Sequence, residues 1–219
     1  MTIQEAIDFV LLVIVLIIGI ICYPKLTKAF RVLTFTIPVT LLFDSLSKFA
    51  ARLYKTNALV LHLECLALYI LYAMVYYHLF RRKKIKKFIF TSTIAVVVFA
   101  GINAVFLQPL SRIFPSYLYI VTNTLLVIFS VLLFRQMLLY PTSISITSQG
   151  IFWFNTSMLF FSTTMFLNLA LVNYWAKLYK NEMIYDFWYA SYYILNILTG
   201  VALICNRREG RQKIMAQER

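Results

Sequence analysis

AIDFVLLVIVLIIGIICY, residues 6–23, holds a single charged side chain, Asp8. As a helix these residues rise about 27 Å, close to the hydrocarbon thickness of a bilayer. Glu5 and Asp8 stand where a secretory signal carries Lys or Arg, and no small-x-small cleavage site follows. Ile20-Ile21-Cys22 also lacks the small residue that a lipoprotein signal places before its cysteine. The run is therefore expected to stay on the protein as a membrane-spanning helix.

Six more apolar runs follow, near 30–50, 57–80, 88–107, 116–140, 151–173 and 187–205. Each is long enough to cross as a helix, and the connections are too short to hide a further domain. The expected fold is all-α: a polytopic seven-transmembrane-helix bundle in a single domain, 1–219. Composition agrees, with 62% hydrophobic and 13% charged residues and a mean hydropathy of +0.79. No water-soluble domain of this length has that balance.

The net charge of +13 is concentrated in short stretches between the runs, which is a topology signal before it is a nucleic-acid signal. One face receives Lys25, Lys28, Arg31, Arg81, Arg82, Lys83, Lys84, Lys86, Lys87, Arg135, Arg207, Arg208, Arg211, Lys213 and Arg219. The other receives Arg52, Lys55, Arg112, Lys177 and Lys180, with Lys48 left inside a span. Fifteen against five predicts the N-terminus outside and the C-terminus in the cytoplasm. Arg81, Arg82, Lys83, Lys84, Lys86, Lys87, Arg207 and Arg208 are then candidates for contact with anionic lipid headgroups or a cytoplasmic partner. Tyr54, Tyr117, Tyr119, Tyr174, Trp175 and Trp188 at one set of ends, and Tyr23, Tyr76, Tyr77, Tyr140 and Trp153 at the other, read as interfacial aromatic belts.

Ionisable groups inside the runs are the candidates for function, because each costs several kcal/mol unless it faces the bundle interior and finds a partner. Phe43-Asp44-Ser45-Leu46-Ser47-Lys48 places Asp44 and Lys48 at i and i+4, acid first, the favourable order for an ion pair on a helix. Ser47 shares their face. Leu61-His62-Leu63-Glu64-Cys65 puts His62 and Glu64 about 200° apart around the next helix, so that His62 is expected at the side or rim if Glu64 faces inward. Asn103, Asn123, Thr164, Asn168, Tyr193 and Asn196 add polar groups at comparable depth. Two readings stay open: a ligand-binding cavity in the outer half, or a structural ion cluster with interhelical hydrogen bonds. Pro38, inside the second run, is expected to kink it and free a carbonyl.

Several chemistries lack their parts. His62 and His78 lie about 24 Å apart along one helix and cannot share a metal. No metalloprotease, phosphate-loop or nucleophile-triad motif is present, so no catalytic residue and no cofactor is expected. A retinal protein needs a lysine in the seventh run, and 187–205 has none. The three cysteines, Cys22, Cys65 and Cys205, are odd in number and lie in or beside apolar runs, against a disulfide framework.

His62-Leu63-Glu64, Asn103-Ala104-Val105-Phe106-Leu107-Gln108-Pro109-Leu110, Ile151-Phe152-Trp153-Phe154-Asn155 and Tyr193-Ile194-Leu195-Asn196-Ile197 resemble stretches of a family of small, uncharacterised seven-helix membrane proteins of Bacteroidota. The resemblance runs along nearly the full length. It implies a bacterial inner membrane and an association with sensor histidine kinases, and brings no established activity. The expected function is a receptor-like protein with an outer polar pocket for a lipid or small envelope ligand, signalling through a cytoplasmic partner. The alternatives are a non-catalytic subunit of a larger envelope complex and a small-solute or proton-coupled transporter.

Overall fold

A computed structural model describes residues 3–110, 114–141, 145–178 and 182–217, of which 171–178, 182–186 and 210–217 as helical backbone alone. The side chains of Arg112, Tyr174, Trp175, Lys177, Lys180, Arg211, Lys213 and Arg219 lie outside the described residues. Among the described residues there are seven α-helices: α1 Ile3–Cys22, α2 Lys28–Tyr54, α3 Ala58–Leu79, α4 Lys83–Ile102, α5 Ser116–Leu139, α6 Gly150–Leu178 and α7 Glu182–Gln217. Among the residues whose side chains are described, six segments are long and apolar enough to cross a membrane, as in a multi-pass membrane protein: Ile3–Lys25, Lys28–Tyr54, Ala58–Leu79, Lys83–Leu107, Ser116–Leu139 and Phe187–Glu209.

α6 is rich in amides and hydroxyls, carrying Asn155, Thr156, Ser157, Ser162, Thr163, Thr164 and Asn168. Its polarity has a packing reason. α6 is clasped between α5 and α7, and Asn155, Ser157 and Ser162 are fully buried there.

Helices consecutive in sequence run antiparallel, and the order of contact is a ring, α1–α2–α3–α5–α6–α7 and back to α1, in which α3 and α5, and α7 and α1, run parallel, with α4 laid outside against α3 and α5. This gives the bundle two ends. The N-terminal face holds the start of α1 and the α2–α3, α4–α5 and α6–α7 connections. The basic face holds the other three connections and the C-terminal part of α7.

The basic half is closed by packing. Tyr76, Phe30, Phe129 and Phe154 are fully buried, with the Tyr76 and Phe154 rings 5.4 Å apart. The Tyr76 hydroxyl meets Ser130 Oγ at 2.6 Å and donates to Asn155 Oδ1 at 3.1 Å, while Asn155 Nδ2 donates to the Ser130 carbonyl at 2.9 Å. Three helices are thus joined by one satisfied polar knot in an apolar core. Tyr76 is not the belt residue expected above, and neither is Tyr119, which is also buried.

At the end of this half Asn206 Oδ1 accepts from the Thr27 backbone N–H at 3.0 Å, and Glu209 Oε1 accepts from the Gly150 N–H at 2.6 Å, capping α6. Gly150 is required there: a Cβ would stand 2.6 Å from the Ala202 carbonyl oxygen. Pro38 lies on the exposed side of α2, which continues through it as one helix. Thr36 and Thr40 hydroxyls donate to the Leu33 and Thr36 carbonyls, at 2.7 and 3.0 Å, on either side of it.

Candidate functional site

Asp8 leads the buried stripe of α1, ahead of Leu12, Val15, Gly19 and Cys22 at i+4, i+7, i+11 and i+14. That stripe faces α2 and α7, so Asp8 is carried into the bundle near the N-terminal face. Asn196 Nδ2 of α7 donates to Asp8 Oδ1 at 3.1 Å, and the Tyr193 hydroxyl donates to the Gln4 carbonyl at 3.0 Å. α2 brings Asp44 within electrostatic reach of Asp8, and α3 brings Glu64 within reach of Asp44. Three carboxylates from three helices therefore gather at one level.

Their neutralisation is incomplete. Glu64 is only 5% exposed, yet neither it nor Asp44 makes a hydrogen bond or ion pair with any described residue. Lys48 does not form the expected pair with Asp44. Its ammonium lies 3.9 Å from Glu5 Oε2 of α1, with half of the side chain exposed, a geometry that the long lysine stem reaches by running toward the rim.

Below the carboxylates lies a cavity of about 50 Å³. Its wall includes Leu12, Thr36, Thr40, Cys65, Tyr69, Tyr72, Tyr119, Thr122, Asn123, Phe161, Tyr192, Asn196 and Thr199, from six of the seven helices. The volume admits on the order of three to five waters or a small ion with its hydration, and no acyl chain. The wall's own donors are largely returned to their helices: Thr122 Oγ1 donates to the Leu118 carbonyl at 2.9 Å and Asn123 Nδ2 to the Tyr119 carbonyl at 2.8 Å. What remains toward the cavity is acceptor capacity and phenol. Tyr72, Tyr119 and Tyr192 all lie within electrostatic reach of Glu64.

The remaining sequence candidates disperse. Ser47 accepts from Asn57 Nδ2 at 2.7 Å and ties the α2–α3 turn. The Thr164 hydroxyl turns back to the Phe160 carbonyl at 2.8 Å. His62 is not at the rim but 4% exposed, because α3 has helices on several sides; its Nδ1 sits 2.8 Å from the Ala58 carbonyl and its Nε2 has no protein partner. Asn168 Nδ2 is likewise buried without one.

Asn103 opens a π-helical turn over Asn103–Leu107 that ends α4, away from the cavity wall. Its carbonyl accepts from the Gln108 N–H at 2.7 Å, and Gln108 in turn donates to Ser116 Oγ at 2.8 Å, fixing the start of α5. Its side-chain amide is fully buried with neither atom partnered. Of the sequence candidates, then, Asp44, Glu64, Asn123 and Asn196 converge. Asp8, Tyr72, Tyr119, Tyr192 and the threonine hydroxyls join them without having been singled out.

On the basic face α4 begins inside the charged run, at Lys83, earlier than its apolar run predicts. Arg82 Nη2 donates to the Tyr140 hydroxyl at 3.0 Å. That bond and the Arg82 charge, with Arg81 adding to it, hold the Tyr140 phenol below its ordinary value. Arg207 is half-buried, with Nη1 4.0 Å from Cys22 Sγ, and Arg208 is exposed. Lys84 and Lys87 are exposed. Among the described residues no three His, Cys, Asp or Glu side chains are placed to hold a metal ion together. Comparison with family models, curated proteins and solved structures finds no match to this chain.

Proposed function

We propose that the chain is a receptor-like integral membrane protein that crosses seven times, with the N-terminal face outside and the basic face in the cytoplasm. The observation that carries this reading is the contrast in depth. Buried Glu64 and half-buried Asp44, neither with a hydrogen bond or ion pair to a described residue, overlook a small polar cavity near one face, while the half beyond it is sealed by the Tyr76–Ser130–Asn155 knot and its aromatic packing. A sealed half supports reception over carriage, since a carrier needs a polar path past Asn155.

The ligand class follows from charge and size. Asp8, Asp44 and Glu64 leave the site short of positive charge once Lys48 is drawn to Glu5, and three phenol rings stand beside them. A small cation matches carboxylate and aromatic surface together. The volume supports that class and does not support a lipid. Binding would shift α1, α2 and α7 against one another, and the motion would reach a partner docked on the basic connections. The resemblance to the Bacteroidota family supports a bacterial inner membrane and a histidine kinase as that partner.

A second reading, a subunit of a larger envelope complex, draws on the peripheral α4, whose Phe90, Ile94, Val98 and neighbouring Phe106 are exposed. The test is thermal unfolding in nanodiscs with millimolar sodium, potassium, methylammonium or guanidinium. One of these should raise the midpoint of the wild type and leave Glu64→Gln unmoved. Indifference of the wild type to every cation would remove the receptor reading.

A further inference from the structure

Between Glu64 and Glu182 the sequence contains no carboxylate at all. The basic run falls inside that stretch, and it does not lie flat. α3 and α4 meet at the basic face around a groove of about 640 Å³ walled by Tyr77, Arg81, Lys83, Lys86, Lys87 and Phe90. Four cations share it, and none of them makes an ion pair with a described residue. Lys86 Nζ sits over the Tyr77 ring, 5.1 Å from its centroid, so one cation is held in place by an aromatic floor.

Beyond the groove the same face of α4 is apolar. Along α4 the residues Lys83, Lys87, Phe90, Ile94, Val97 and Gly101 follow i, i+4, i+7, i+11, i+14 and i+18, one face of a helix. Phe90 is 60% exposed, Ile94 50% and Val97 44%, and a Cβ on Gly101 would meet nothing within 4 Å. Met74 and Tyr77 of α3 are exposed alongside. Cations at the end of the helix and an exposed apolar stripe running up from them match the order of a phospholipid, headgroup to acyl chain.

We propose that the α3–α4 groove is a specific site for an anionic phospholipid, its phosphates held by Arg81, Lys83, Lys86 and Lys87 and an acyl chain lying along Phe90, Ile94 and Val97. Four cations without a counter-carboxylate match a headgroup with two phosphates better than one. The site is separate from the carboxylate cavity, and its argument holds whichever leaflet the basic face occupies.

The test reconstitutes the full chain in nanodiscs of phosphatidylcholine containing a few per cent cardiolipin or phosphatidylglycerol, and reads retained lipid by native mass spectrometry and the unfolding midpoint. Cardiolipin should be retained, more than phosphatidylglycerol, and should raise the midpoint. The variant Lys83→Gln/Lys87→Gln should lose roughly tenfold to thirtyfold in retention, each lysine near a headgroup contributing a few-fold factor. The control Lys25→Gln/Lys28→Gln, on another connection of the same face, should retain lipid as the wild type does. Equal loss in the control would mean diffuse surface attraction and overturn the site. Protection by soluble pyrophosphate equal to that by cardiolipin would overturn the lipid assignment, as would a second copy of the chain occupying this face in place of lipid.

Discussion

Both halves of the bundle bury polar residues, and they treat most of them differently. In the basic half Tyr76, Ser130 and Asn155 satisfy one another, Asn206 receives the Thr27 N–H, and Glu209 caps α6; of the groups around this knot the Thr156 hydroxyl is left without a protein partner. In the N-terminal half Glu64 has no hydrogen bond, Asn103 leaves its whole side-chain amide unmatched, and His62 and Asn168 each leave a nitrogen without a protein partner. A satisfied network stabilises a bundle; an unsatisfied one costs stability and persists for another reason. The difference separates polar groups that hold the helices together from polar groups that await something.

That contrast can be broken most forcefully at Gly150. The substitution Gly150→Leu drives side-chain atoms into the Ala202 carbonyl and Asn206, with no flexible neighbour to give way. It should cost about 3 kcal/mol or more, read as loss of a monodisperse, cooperatively unfolding protein in detergent. Asn155→Ala leaves Tyr76 and Ser130 buried without their partner and should destabilise by about 1–3 kcal/mol. Combined with Tyr76→Phe it should show coupling in a double-mutant cycle, since the two side chains share a bond. Additive losses would dissolve the knot as a unit.

In the other half effects should be small. Lys48→Gln removes a half-exposed pair at 3.9 Å and should change stability by less than about 1 kcal/mol. Smallest of all, Arg82→Gln should return the Tyr140 phenol upward toward its ordinary value, because the donor and the charge that favour the phenolate leave together. A difference absorbance titration against Tyr140→Phe reads that shift without any change in folding.

The helices were legible because apolar length is a one-dimensional property: the seven runs each became a helix. Boundaries drifted where charge and helix propensity coincide, as at Lys83, since lysine extends a helix as readily as it ends an apolar run. Asp44, Glu64, Asn123 and Asn196 were legible because charge or amide inside a run is costly. Asp8 was missed because it was weighed as a flank of a signal sequence, although its place one turn before Leu12, Val15, Gly19 and Cys22 put it on the buried stripe. The Lys48–Glu5 pair was not legible, since it depends on the register of α1 against α2, which no single helix encodes. Tyr119 looked like an interfacial anchor by its position near a span end, and only the presence of helices on every side of it made it a cavity wall.

The most direct test of the account is the unfolding free energy of wild type, Asp44→Asn, Glu64→Gln and the double variant, measured in one detergent without added ligand. If the carboxylates are kept for binding, each substitution should be neutral or stabilising, by up to about 1–2 kcal/mol as an unpaired carboxylate inside the bundle, buried at Glu64 and half-buried at Asp44, is removed. Strong destabilisation with coupling between the two sites would mean that Asp44 and Glu64 hold the bundle together, and would contradict the division between a structural half and a receptive one.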